Sequence, residues 1–131
     1  MKMNLDYQTC KSLIDRLKTN QKFKIVEEDK PHGFGDGVDY WEFTILESDN
    51  LNVIYAQDYL VGFSSENDIS IIDTKNNVCV YSNAPGPESF WGSDGVEKGI
   101  DKLERMNINT LDELTKYLAE RLQVPISTLK L

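Results

Sequence analysis

His32 is the only histidine in the chain, and it lies a few residues before Asp36 and Asp39. A histidine beside a carboxylate is the usual core of general acid–base chemistry, the imidazole taking the proton and the carboxylate holding the ring in one orientation. Such chemistry would make the protein a small hydrolase-type enzyme using His32 with Asp36 or Asp39. It would also need a nucleophile. Cys79 and several serines are available, but no Gly-x-Ser-x-Gly sequence surrounds any of them. A single histidine excludes zinc sets built on two imidazoles of one chain, and Cys10 and Cys79 lack the C-x-x-C spacing of a zinc knuckle or a redox motif. Gly33, Gly35 and Gly37 alternate like a phosphate-cradling loop, but a dinucleotide fingerprint opens a helix and this one opens a strand. These glycines serve backbone geometry or the close approach of a partner. Asp94 to Glu104 has the composition of a calcium loop, yet Val96 stands where the third-position oxygen ligand belongs. No catalytic residue, cofactor or metal is expected.

Charge is the stronger signal. From Glu27 to Glu97, fifteen acids face two bases, Lys30 and Lys75. Residues 1–26 carry a net +4 and residues 98–131 a net +1, against −13 for the middle and −8 for the whole chain. Turn chemistry accounts for many of the aspartates. It does not account for the missing lysines, which exposed strands commonly carry to discourage edge pairing. A segregated negative surface points to a basic partner and repels phosphate backbones and anionic lipid, so direct nucleic-acid or membrane binding is not expected.

The elements that must position these residues follow from periodicity. Leu5, Cys10, Leu13, Ile14 and Leu17 fall on one face of a helix from about Leu5 to Thr19. Phe23 to Val26 reads as a short strand, and Pro31 to Asp39 as a glycine-rich loop. Trp41, Phe43 and Ile45 alternate with Tyr40, Glu42 and Thr44, which predicts a strand burying the first set. Strands follow at Leu51–Ala56, Tyr59–Ser64, Ile69–Asp73 and Val78–Tyr81, with Gln57-Asp58 read as a tight turn. Five strands would then separate the Pro31 loop from the next irregular stretch, Asn83 to Gly92, and put the two at opposite ends of the sheet. Helices are expected from Asp94 and from Thr110, where Thr110-Leu111-Asp112-Glu113 is a capping box.

The fold expected is a single α+β domain over residues 1–131. It comprises an N-terminal helix, an antiparallel β-meander of five to six strands, and two C-terminal helices packed on one face, with the other face and its loops acidic. The order of a meander ending in Val78-Cys79-Val80-Tyr81 and a late Thr110-Leu-Asp-Glu-Leu helix resembles an immunity-protein superfamily in outline. The Leu-Pro-x-x-Tyr segment of that superfamily is absent after the first helix.

The function expected is that of a small acidic, non-enzymatic binding protein that neutralises a basic protein partner, such as an immunity protein or antitoxin for a nuclease-type toxin. A phage-encoded inhibitor of a host defence protein fits the same description, and an adaptor or complex subunit is the further alternative. Partner-binding residues are expected on the two irregular loops: Asp36 and Asp39 on one, and Glu88, Phe90, Trp91 and Asp94 on the other. There Pro85 and Pro87 stiffen a segment bearing two large aromatics. The start lacks an apolar signal-peptide core, and both cysteines are expected as buried thiols too far apart to pair, as in a cytoplasmic protein.

Overall fold

Asp6 sets the start of the first helix. In the computed structural model, which describes residues 5–33, 39–60, 68–83 and 103–131, its carboxylate accepts the Thr9 N–H at 2.8 Å. That bond satisfies one of the amides a helix start leaves without partners. Helix α1 runs Tyr7–Lys18 and buries Thr9, Cys10, Leu13, Ile14 and Leu17, the stripe that the spacing predicts. Arg16 and Lys18 occupy its last turn, where positive charge complements the carbonyl end of the helix dipole.

Six strands follow in sheet order β1 to β6. They are β1 (Lys24–Gly33), β2 (Asp39–Glu47), β3 (Asn52–Leu60), β4 (Asp68–Asp73), β5 (Val78–Ser82) and β6 (Glu104–Arg105). The first five pair antiparallel. Strand β6 joins β5 in parallel, through Val78–Glu104 and Cys79–Arg105. This is the α+β meander expected from the sequence, with a short parallel strand at its far edge.

Two expectations are corrected. The loop assigned to Pro31–Asp39 is shorter, because β1 continues through Pro31 to Gly33 and β2 begins at Asp39. Proline is tolerated there because β1 is an edge strand and its register slips between Asp29 and His32, so a missing N–H breaks no regular ladder. Gln57-Asp58 is not a turn. Strand β3 is continuous, and Gln57 and Asp58 hold register with Glu42 and Trp41 on one side and with Ile69 and Asp68 on the other. Neighbours on both sides override the poor strand propensity of aspartate.

The β4–β5 turn is closed by Asp73, which is fully buried. Its carboxylate accepts the N–H groups of Lys75 and Asn76 and the Tyr117 hydroxyl, the last at 2.7 Å. Asn77 completes the turn at φ 55°, a conformation asparagine tolerates. Helix α2 (Leu111–Leu122) starts at the capping box: the Thr110 hydroxyl oxygen accepts the Glu113 N–H. It ends at Gln123, with φ 63°, and the Lys22 ammonium donates to the carbonyls of Leu122 and Gln123. The short helix α3 (Ile126–Leu129) then returns Leu129 to the core. The helix expected from Asp94 lies outside the described residues.

The main core lies between the helices and one face of the sheet. It joins Leu13, Ile14 and Leu17 of α1 to Leu46, Val53, Tyr55, Ile69, Ile71 and Val80 of the sheet and to Leu114, Leu118 and Leu122 of α2. Burying each of these side chains stabilises the fold by about 1.5–3 kcal/mol. A smaller cluster, Ile54, Ile72 and Cys79 with Ile45 and Leu103 against it, lies on the opposite face.

The second face is therefore apolar in part, and the expectation of an acidic face is corrected. The burial read from β2 is inverted as well. Glu42, Thr44 and Leu46 lie under the helices, while Phe43 and Ile45 are half-buried. Alternation fixes two sets of residues but not which set meets the larger core. Cys10 and Cys79 are buried free thiols, one in each cluster.

Candidate functional site

With β3 a single strand, four strands separate the two irregular stretches instead of five, so both leave the sheet from one end; the expected separation of the loops themselves concerns residues 34–38 and 84–92, outside the described residues. The register pairs Gly33 with Tyr40, Asp39 with Leu60, Asp58 with Asp68, and Ser70 with Ser82. All these pairs fall at one end of the sheet. Segments 34–38 and 61–67 are attached there at both of their termini, and segment 84–102 leaves from Asn83 beside them.

Of the residues expected to bind a partner, Asp39 is placed at this end, as the first residue of β2. Asp36, Glu88, Phe90, Trp91 and Asp94 lie outside the described residues. His32 pairs with Trp41, two positions along β2 from Asp39, so the backbone brings the histidine and one of its proposed carboxylates onto adjacent strands.

The end is acidic beyond those residues. Asp58 and Asp68 face each other across β3 and β4, and Asp58 also faces Trp41 across β2. Between Glu27 and Asp73 the only base is Lys30. Directly opposed like charges destabilise an antiparallel pair. The opposite end is mixed in charge: a hollow there is lined by Asp49, Asn50, Lys75, Asn76, Glu120, Arg121 and Gln123. Among the described residues no group of three or more His, Cys, Asp or Glu is placed to hold a metal ion, and no helix is long and apolar enough to cross a membrane.

A second polar centre was missed in the sequence. Glu42 is 2% exposed beneath α1. Its Oε1 accepts the Tyr7 hydroxyl at 3.0 Å and the Tyr55 hydroxyl at 3.3 Å, and its Oε2 accepts the Lys11 ammonium at 3.1 Å. Tyr7 and Lys11 stand one turn apart on α1, the spacing that puts two side chains on the same target. Burial, and then the nearby Glu42 charge, push the Tyr7 phenol up to about 12 and raise Tyr55 further. Burial likewise pushes the Cys10 thiol up to about 12, so it is protonated and inert at neutral pH. The available signal was the Tyr7–Lys11 spacing on the stripe side of a helix expected to pack.

The fold is that of a small α+β protein whose sheet carries Asp39, Asp58 and Asp68 toward one end. Comparison with protein-family models, with curated proteins and with solved structures finds no match for the chain.

Proposed function

We propose that the protein is a non-enzymatic binding protein that neutralises a basic protein partner, in the manner of an immunity protein, an antitoxin or a phage-encoded inhibitor of a host defence protein. The observation that carries this reading is the opposed pair Asp58 and Asp68 at the end where Asp39 begins β2. Two aspartates paired in register across a ladder are an unfavourable choice for strand stability alone. A cation from outside would relieve that repulsion, and breaches of local folding rules concentrate where function needs them. The partner would be a nuclease-type toxin or another nucleic-acid-binding enzyme, whose positive cleft the acidic end occupies in place of phosphates while steering association. Asp36 and Asp39 belong to the connection at that end, and the segment that carries Glu88, Phe90, Trp91 and Asp94 leaves the sheet from Asn83 beside it, so we include both sets in the proposed interface. Free buried cysteines suit a reducing compartment such as the cytoplasm.

The test is affinity capture from the native cell at low salt, with salt elution and determination of the captured protein's isoelectric point. A basic protein retained by the native chain and lost on Asp58→Lys, Asp68→Lys substitution is the expected result. Capture of acidic proteins only, or equal retention by the double variant, rules the reading out.

A further inference from the structure

Asp73 and Glu42 are both buried carboxylates, and Asp73 closes a turn. Glu42 closes no turn and caps no helix. It sits in mid-strand, and an apolar pair of similar volume would often be as stable as the ion pair it makes with Lys11. Its surroundings are those of a receptor. One carboxylate oxygen is held by two phenol hydroxyls, at 3.0 and 3.3 Å, so the group is oriented whether or not a cation is present. The other oxygen meets an ammonium at 3.1 Å. That ammonium also lies 5.9 Å from the centre of the Tyr55 ring, within the range where a ring face attracts a cation. The carboxylate is 2% exposed and the Lys11 side chain 26%, so the lysine is the partner nearer to solvent.

We propose that Tyr7, Glu42 and Tyr55 form a binding site for a primary ammonium group, and that Lys11 occupies it as a tethered ligand. A carboxylate acceptor beside an aromatic face, filled by the unbranched lysine stem, favours an unbranched R–NH3+ group, such as a small alkylamine or a lysine side chain. A quaternary ammonium has no N–H to donate to Glu42 and is excluded. Lys11 reaches the site from its solvent side, so it can leave and return without opening the core. Tethering gives it a high effective concentration, and a free amine must compete against that. The site is independent of the acidic end and of the function proposed for it.

The experiment uses Lys11→Ala, which removes the side chain beyond Cβ and leaves room for n-propylammonium. Thermal unfolding is followed by circular dichroism while n-propylammonium or tetramethylammonium is added at constant ionic strength. The expected result is a saturable rise in the unfolding midpoint of Lys11→Ala with n-propylammonium alone. The native chain should require a concentration roughly tenfold higher or more, and Lys11→Ala with Glu42→Gln should show no rise. If Lys11→Ala is unfolded by itself, recovery of its helical signal with n-propylammonium is the same readout, and Lys11→Ser provides a second variant. No saturable effect on either variant, an equal effect of tetramethylammonium, or an equal effect in the double variant overturns the site.

Discussion

Replacing Glu42 with Ala strands the Lys11 ammonium and two phenol hydroxyls at once. Removing one partner of a buried pair typically costs 3–5 kcal/mol; the route of Lys11 to water puts this case near the lower limit, about 3 kcal/mol, measured by urea unfolding. Glu42→Gln keeps an acceptor for the phenols and should cost distinctly less, so equal losses for the two substitutions would contradict the hydrogen-bond pattern. The tyrosines predict a pH dependence. Burial, with the Glu42 charge beside Tyr7 and the hydrogen bond that Tyr117 donates to Asp73, pushes both phenols up to about 12 in the folded chain. A folded value above the unfolded one means that the stabilisation is whole below the ordinary phenol value of about 10 and is lost as pH rises through the folded values. Stability should therefore fall between about pH 10 and 12, with part of the tyrosinate absorbance appearing only on unfolding. Full tyrosinate absorbance with native circular dichroism would refute the burial of these rings. The sequence hid this centre because a glutamate alternating with aromatics reads as solvent-facing unless the helix residues that satisfy it are already known to be opposite.

At the scale of elements, ends were more legible than continuity. The capping box at Thr110 announces its own geometry, and Thr110→Ala should cost about 1 kcal/mol in thermal or urea unfolding. The other end of the same helix falls at Gln123, ahead of Pro125, as the leucine spacing predicts, though Gln123 adopts φ 63° without being glycine or asparagine. Gln123→Gly should stabilise the protein by about 0.5–1 kcal/mol, because glycine enters the left-handed region without the Cβ penalty. The Lys22 bonds to the Leu122 and Gln123 carbonyls would be kept. Destabilisation by glycine would show that the Gln123 side chain does something the backbone does not. Pro31 and Asp58 mislead for one reason. Each is a poor strand residue judged alone, and each lies in a strand for reasons outside its own preference: Asp58 is paired on both sides, and Pro31 falls in the register slip between paired Asp29 and His32. Helix ends are local events and strand lengths are not.

For the whole molecule, the single misread turn mattered more than any residue, because the number of strands decides which connections share an end. Four strands instead of five gather Gly33, Asp39, Leu60, Asp68 and Asn83 at one end of the sheet, and under the proposed function the acidity read from the sequence would act as a localised field. Such a field acts chiefly on the rate of encounter and is screened within about 8 Å at physiological salt. Neutralising Asp39, Asp58 and Asp68 together as asparagines should slow association with the captured partner by roughly tenfold at low salt and flatten its salt dependence, with a smaller change in dissociation. Glu47→Gln, Asp49→Asn and Glu120→Gln together, at the opposite end, remove the same charge from the wrong place and should leave the rate nearly unchanged. Stopped-flow association across a salt series separates these cases. If both variants slow association equally, net charge alone steers the encounter and the acidic end has no special part. If only the first does, and its thermal stability rises as the opposed aspartates at positions 58 and 68 are relieved, the same pair accounts for both the cost and the use.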